Sequence, residues 1–230
     1  MNSLDLYAII EEHLDFNDEI QELHQFYINF FNKKKPSSLI DIGCGQGEFL
    51  KKINTNIKTL GIDLSKEQIK ICKQKNLNVQ CIDICKVKES FDMATAIFDV
   101  LNYLDDDRLK KFISCTYNKI NKNGYLLFDV NTLYGFEVVA NGSLNINLEN
   151  KFISIDGYFE NNILTTNINL FEKQNNLYNR KENHIVQYFH KKDKLKKILE
   201  KTGFIIEDIV LFNLHKFDEA DKYIFICKKL

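Results

Sequence analysis

A chain of 230 residues, 44% apolar and 27% charged, is long enough to bury a sizeable core within one domain. Its formal net charge of −1 excludes a general electrostatic attraction to nucleic acid or to an anionic membrane surface. No apolar run approaches the roughly 18 residues that span a bilayer, and the opening MNSLDLYAIIEEHLDF carries acids where a secretory signal carries bases, so a cytoplasmic location is expected.

Taken in chain order, residues 3–33 place apolar side chains at helical spacing, from Leu6, Ile9, Ile10 and Leu14 to Ile20, Leu23, Tyr27, Phe30 and Phe31. Lys33-Lys34-Lys35-Pro36 ends this helical stretch, and Pro36 is the one proline of the chain. Short apolar runs then alternate with helical segments. The runs are Leu39–Ile42, Thr59–Ile62, Val79–Ile82, Met93–Phe98 and Tyr125–Val130; helices are predicted near Glu48–Ile53, Lys66–Gln74 and Asp107–Ile120. Strands alternating with helices at this spacing imply a parallel sheet covered on both faces. From about Asn141 to His190 the pattern changes to period two, with turns near Asn161-Asn162 and Asn175-Asn176, which predicts an antiparallel insertion. A last helix, Asp193–Lys201, stops at Gly203, and two strand candidates follow, Ile205–Phe212 and Tyr223–Cys227.

The six cysteines (Cys44, Cys72, Cys81, Cys85, Cys115 and Cys227) include no CxxC pair, and Cys81 and Cys85 have no histidine nearby. The expectation is buried free thiols in a reducing compartment, with no metal site.

The stretch SLIDIGCGQGEFL, residues 38–50, runs from a strand through Gly43, Gly45 and Gly47 into a helix. Such a turn lets a ligand lie against bare backbone. A dinucleotide fingerprint needs a third glycine at position 48, where this chain has Glu48, an acid that would repel a pyrophosphate. The pattern therefore fits a ligand with no phosphate to neutralise; a purely structural turn is the other reading. Asp63, in GIDLS at the end of the second strand, suits a ribose diol or, alternatively, the N-cap of the next helix. In that case Ser65 is the competing cap. Asp83, in IDI at the end of the third strand, could accept from an adenine amine, with the Ile84 N–H opposite a ring nitrogen; taken alone it reads as a strand-end polar residue. Together these strand ends line the carboxyl edge of the sheet, where open α/β folds bind ligands.

DIGCGQGEF, GIDLS, IDI and FDVLNYL, in that order, resemble the motifs of class I S-adenosylmethionine (SAM)-dependent methyltransferases, strongly over Leu39–Val130. The ending ENHIVQYFHKKDKLKKILEKTGFIIEDI is similar to the small-molecule methyltransferases with an FDxLNYL motif. The resemblance implies an α/β fold, a Rossmann-like, mostly parallel seven-stranded sheet with an N-terminal helical cap (1–35), a SAM-binding core (36–140), a small antiparallel insertion over the acceptor (141–190) and a C-terminal helix with the last two strands (191–230). It also implies roles for single residues. Gly43, Gly45 and Gly47 pass beneath the methionine part of SAM, and Asp41 helps hold its ammonium. Asp63 binds the ribose, Leu64 packs on adenine, Asp83 and the Ile84 backbone read the adenine edge, and the Phe98 carbonyl lies near the ammonium.

Candidate catalytic groups are Asp99 and His184, and candidate acceptor contacts are Asn102, Tyr103, Arg180 and Tyr188. On a strand, Arg180, Glu182, His184 and Tyr188 share one face, which reads as a pocket wall or as an exposed row of cross-strand charge pairs. The resemblance implies that the N-terminal helices fold over cofactor and acceptor as a lid, so Tyr7 and Tyr27 are read as ligand contacts or, the favoured reading, as packing residues, and His13, His24, His190 and His215 as surface or structural histidines. The expected function is methyl transfer to oxygen or nitrogen of a small molecule, possible examples being a sugar or biosynthetic intermediate. The expected state is a monomer or homodimer without nucleic-acid or membrane partners. Two other readings are a catalytically silent SAM-binding module and a nicotinamide-dependent oxidoreductase.

Overall fold

The computed structural model describes residues 3–14, 16–53 and 56–230. The helical stretch at the start breaks in two, into α1 (Ser3–Ile10), one 3₁₀ turn and α2 (Asn17–Lys34); Lys35 closes α2 in the left-handed region at φ 50° just ahead of Pro36. The alternating part gives β1 (Ser38–Ile42), α3 (Glu48–Lys52), β2 (Lys58–Ile62), α4 (Lys66–Gln74), β3 (Val79–Gln80), β4 (Phe91–Ala96), α5 (Asp106–Lys119) and β5 (Ile120–Asn131). The insertion forms β6 (Gly142–Asn147), β7 (Lys151–Glu160), β8 (Ile163–Gln174) and β9 (Leu177–Tyr188). The chain ends with α6 (Lys192–Thr202), β10 (Phe204–Phe212) and β11 (Lys222–Lys229).

Seven strands form one sheet in the order β10-β11-β5-β4-β1-β2-β3, in which β11 runs antiparallel to both neighbours. The pleat sends successive side chains to opposite faces, so β5 contributes Leu126 and Phe128 to one core and Leu127 to the other. The first core packs Leu109, Phe112 and Ile113 of α5 with Leu195 and Leu199 of α6. The second packs Leu23, Tyr27 and Phe31 of α2 with residues of α3 and α4. Apolar cover on both faces is why these strands read as continuous hydrophobic runs.

The insertion is a separate four-stranded antiparallel sheet, β6-β7-β8-β9. Asn161 and Asn162, both at positive φ, make its β7–β8 turn, a conformation that asparagine tolerates better than most residues. Leu6 and Ile10 of α1 pack against Ile153, Ile168, Leu170 and Ile185 of this sheet. Burying those two side chains contributes about 3–6 kcal/mol before the cost of ordering the helix.

Two expectations are corrected. The fourth strand stops at Ala96, short of Phe98, because Phe98 and Asp99 turn into the left-handed region at φ 63° and 59°. Cys85 and Cys115 form a disulfide, since the segment after β3 lies against α5; Cys44, Cys72 and Cys227 are free and buried, and Cys81 is free and exposed. Residues far apart in sequence carry no spacing signal for that pairing. Among the described residues no helix is long and apolar enough to cross a membrane.

Candidate functional site

The carboxyl ends of β1 to β5, α1, the start of α2, the loop before β11 and the inner face of the small sheet enclose a cavity of about 960 Å³. Gly43, Gly45 and Gly47 have φ of 72°, 51° and 79°, a run that residues with a Cβ rarely adopt. A Cβ at Gly45 would meet nothing within 4 Å, because it would project into the cavity. This bare backbone is a cradle for a ligand.

Asp63 closes the loop from the next strand. Its Oδ2 accepts the Gly45 N–H at 3.0 Å and its Oδ1 the Ser65 N–H at 2.8 Å. The helix cap is Ser65, whose Oγ accepts the Gln68 N–H, so Asp63 faces the cavity with lone pairs to spare. Leu64, 58% exposed, lines the cavity beside it, as do Asp83 and Ile84. Asp83 Oδ1 accepts the Cys85 N–H at 2.7 Å, and its other oxygen has no partner among the described residues. Asp41 lies beneath the glycine loop, 3% exposed, and accepts the Thr95 hydroxyl at 2.7 Å. Burial raises its carboxyl to about 7.

The turn after β4 is held by Asp129 of β5, whose carboxylate accepts the Phe98 N–H at 2.9 Å, the Asp99 N–H at 3.1 Å and the Tyr27 hydroxyl at 3.0 Å. Lys222, 2% exposed, bonds to Asp99, to Asp129 at 3.2 Å and to Asn131 at 2.9 Å. Burial alone would lower the Lys222 pKa, but the two carboxylates outweigh it and raise it. Asp99 therefore faces the cavity as half of an ion pair, and Phe98 and Tyr103 line the same wall.

The remaining candidates fall elsewhere. Asn102 is fully buried; its amide donates to the Tyr188 carbonyl at 2.8 Å and its Oδ1 accepts the Asn131 N–H at 3.0 Å. It is a bracket between the two sheets and contacts no ligand space. On β9 the cavity receives Ile185 and Gln187, and period two sends His184, Arg180 and Tyr188 to the opposite face. His184 is exposed, and Arg180 pairs with Glu182 and donates to Asn169 Oδ1 at 2.8 and 3.0 Å. That face is an exposed polar row, with Arg180 paired to Glu182 along β9 and bonded to Asn169 across on β8, and not the pocket wall. Glu48 is also not a bare charge beside the glycine loop, because Lys75 donates to it at 2.6 Å and holds its pKa low.

Sequence reasoning passed over several lining groups. Glu11 accepts from Gln46 at 3.2 Å and Gln68 at 3.0 Å, and burial raises its pKa. Tyr7 and His24 line the cavity, and so do His215 and Asp221, with His215 Nδ1 2.5 Å from Asp221 Oδ2. No motif marks them; the amphipathic period of the lid and the Leu214–Asp221 loop show it only in three dimensions. Eight carboxylates line the cavity, and lysines offset only two of them, Glu48 through Lys75 and Asp99 through Lys222, which is the one lining lysine or arginine among the described residues. Such a surface repels phosphate and attracts cations, an argument against a nicotinamide dinucleotide that replaces the one from Glu48.

A profile of the methyltransferase domain family matches residues 12–209. The chain belongs to this family. The chain is 27% identical over 128 residues to a protein of Geobacillus sp. (strain WCH70) provisionally named as a methyltransferase, over 51% of either chain. It spans about half the length of the curated relatives it matches. Among solved structures it resembles a SAM-dependent methyltransferase from Clostridium acetobutylicum ATCC 824, with a TM-score of 0.80 and 22% identity over 97% of this chain and 95% of the other. It also resembles SAM-bound CalS10, an amino pentose methyltransferase of calicheamicin biosynthesis from Micromonospora echinaspora. There the TM-score is 0.72 and the identity 11%, covering 100% of this chain and 98% of that one. The chain thus has the class I methyltransferase fold, with its seven-stranded sheet intact and a four-stranded sheet added.

Proposed function

We propose that the protein transfers a methyl group from SAM to a nitrogen of a small, amine-bearing acceptor. The observation that carries the reading is the acid-rich cavity built on a bare glycine loop. SAM brings a positive sulfonium and an ammonium, and an amine brings a third cationic group, whereas an anionic acceptor would be repelled. The amino-pentose activity named for CalS10, a protein of the same fold, supports an amine.

In this reading Gly43, Gly45 and Gly47 lie under the methionine part of SAM, and Asp41 and the Phe98 carbonyl hold its ammonium. Asp63 accepts from the ribose hydroxyls, Leu64 covers one adenine face, and Asp83 and the Ile84 N–H take its edge. SAM supplies an activated methyl, so the protein has to align the acceptor, exclude water and manage one proton. Tyr103 and Asp99 stand on the acceptor side, Asp99 acting with Lys222 as a fixed pair. Strands β7 to β9 roof the acceptor with Ile155, Leu164, Thr166, Ile168, Ile185 and Gln187.

Two measurements test the proposal. Asp63→Ala should weaken S-adenosylhomocysteine binding about 10–100-fold by calorimetry, the value of a charged hydrogen-bond acceptor; unchanged affinity removes Asp63 from the site. A panel of amino sugars and their hydroxyl counterparts, incubated with methyl-labelled SAM and read by mass, should label the amines. Label on the hydroxyl compounds alone would move the reaction to oxygen. S-adenosylhomocysteine binding without transfer to either set would favour the silent module.

A further inference from the structure

We propose that His215 is the proton acceptor for the amine, held in its working tautomer by Asp221; this rests on the amine reading above. The pair occupies the loop between β10 and β11, which is pinned to the end of β5. Thr132 donates its N–H to the Asp221 carbonyl and its hydroxyl to the Ala220 carbonyl, both at 2.9 Å. That places the loop beside the turn after β4, on the acceptor side of the carboxyl edge, away from the glycine loop at β1.

The Asp221 side chain is 2% exposed. Its Oδ1 accepts the Leu214 N–H at 2.6 Å, and its Oδ2 lies 2.5 Å from His215 Nδ1. A carboxylate cannot donate while ionised, so the shared proton sits on Nδ1, and in the neutral ring the Nε2 lone pair is left open. Burial disfavours the Asp221 charge, but the bonds from His215 and the Leu214 N–H outweigh it and hold the carboxyl below its usual range. Nε2 has no hydrogen-bond partner among the described residues, and the ring lines the cavity between the edge of Phe16 at 6.1 Å and the face of Phe217 at 6.4 Å. His24, His190 and His184 lack this arrangement. His24 Nδ1 meets Lys52, His190 Nε2 faces two carbonyls away from the cavity, and His184 is on the outer face of β9.

A primary amine reaches the site as an ammonium ion. One N–H bond breaks, the proton passes to Nε2, and the imidazolium is stabilised by Asp221. The nitrogen lone pair so released forms the new N–C bond, while the electron pair of the S–C bond returns to sulfur. Asp221 touches the ring; on the same loop Lys216 pairs with Glu22 of α2 at 3.3 Å and Asp218 and Glu219 are exposed, while Glu19 of α2 and the Asp99–Lys222 pair line the same cavity.

Two readouts decide the matter. The first is ¹⁵N NMR of His215 in the S-adenosylhomocysteine complex, which needs no acceptor. A neutral ring protonated at Nδ1, with Asp221→Asn shifting the tautomer ratio, is expected; a ring protonated at Nε2 overturns the proposal. The second uses whichever amine of the panel is methylated. His215→Ala and the bulkier His215→Gln should lower kcat about 10²–10⁴-fold, change KM for the amine less than threefold and leave S-adenosylhomocysteine affinity as it is. Retained kcat in both variants overturns it. If wild-type protein methylates no amine, the amine reading fails on its own, and the tautomer still decides whether His215 can take a proton.

Discussion

His24 lines the cavity between the rings of Phe49 and Phe98, 5% exposed, with Lys52 against its Nδ1 at 3.0 Å. Burial first, and Lys52 second, lower its pKa from 6.5 to about 4. The unfolded chain therefore takes up this proton before the folded one does. The stabilisation is whole above pH 6.5 and is lost as pH falls to 4, by about 3 kcal/mol. Asp41 works in the opposite sense, since its folded carboxyl, raised to about 7, takes up a proton first as pH falls and eases a buried charge. Comparison with His24→Gln isolates the histidine. The melting temperature of wild-type protein should fall more steeply than that of the variant between pH 6.5 and 4; parallel curves would contradict the account. In sequence, His24 was one of several unremarkable histidines, because burial and a lysine from another helix are tertiary facts.

At the scale of elements, the loop from β1 to α3 separates two uses of glycine. A Cβ at Gly47 would lie 2.3 Å from Leu77 Cδ1 and 3.0 Å from Cys72 Sγ, whereas one at Gly45 would enter open space. Gly47→Ala should therefore cost about 1–3 kcal/mol in denaturant unfolding. Gly45→Ala should cost only about 1 kcal/mol from its backbone angle while reducing S-adenosylhomocysteine affinity at least tenfold. Wild-type affinity in Gly45→Ala would mean that the ligand does not lie on this loop. Strand-end motifs such as DIGCGQGEF and GIDLS were legible because backbone conformation and ligand chemistry both restrict them locally. The strand faces of the insertion were legible only as alternation. Which parity looked inward depended on α1 packing Leu6 and Ile10 against the odd-numbered Ile153 and Ile185, and His184 was assigned to the wrong side for that reason. Asn102 misled differently, as a polar residue in a motif whose amide is spent joining β9 to β5.

For the molecule as a whole, a ligand held as proposed at the ends of β1 to β4 should stabilise the entire domain. S-adenosylhomocysteine at 100 times its dissociation constant adds about 2.7 kcal/mol, which for a chain of this size is about 5–10 °C in melting temperature. NAD at the same concentration should give no shift, and a larger shift with NAD would reverse the choice of cofactor. The strand–helix alternation was enough to foresee the main sheet, because cover on both faces produces uninterrupted apolar runs. The Cys85–Cys115 bond and the His215–Asp221 pair left no trace in spacing, since each joins segments that only the folded topology brings together.

The roof of the cavity is made by alternate residues of three strands, with Thr166 and Gln187 its polar members on β8 and β9. The outward residues between them, including Arg180, Glu182 and His184, are polar without reaching the interior. Anyone wishing to retune which molecule is accepted thus has a short set of addresses at every second position. Solubility can be adjusted on the intervening ones, so the two properties are free to drift apart.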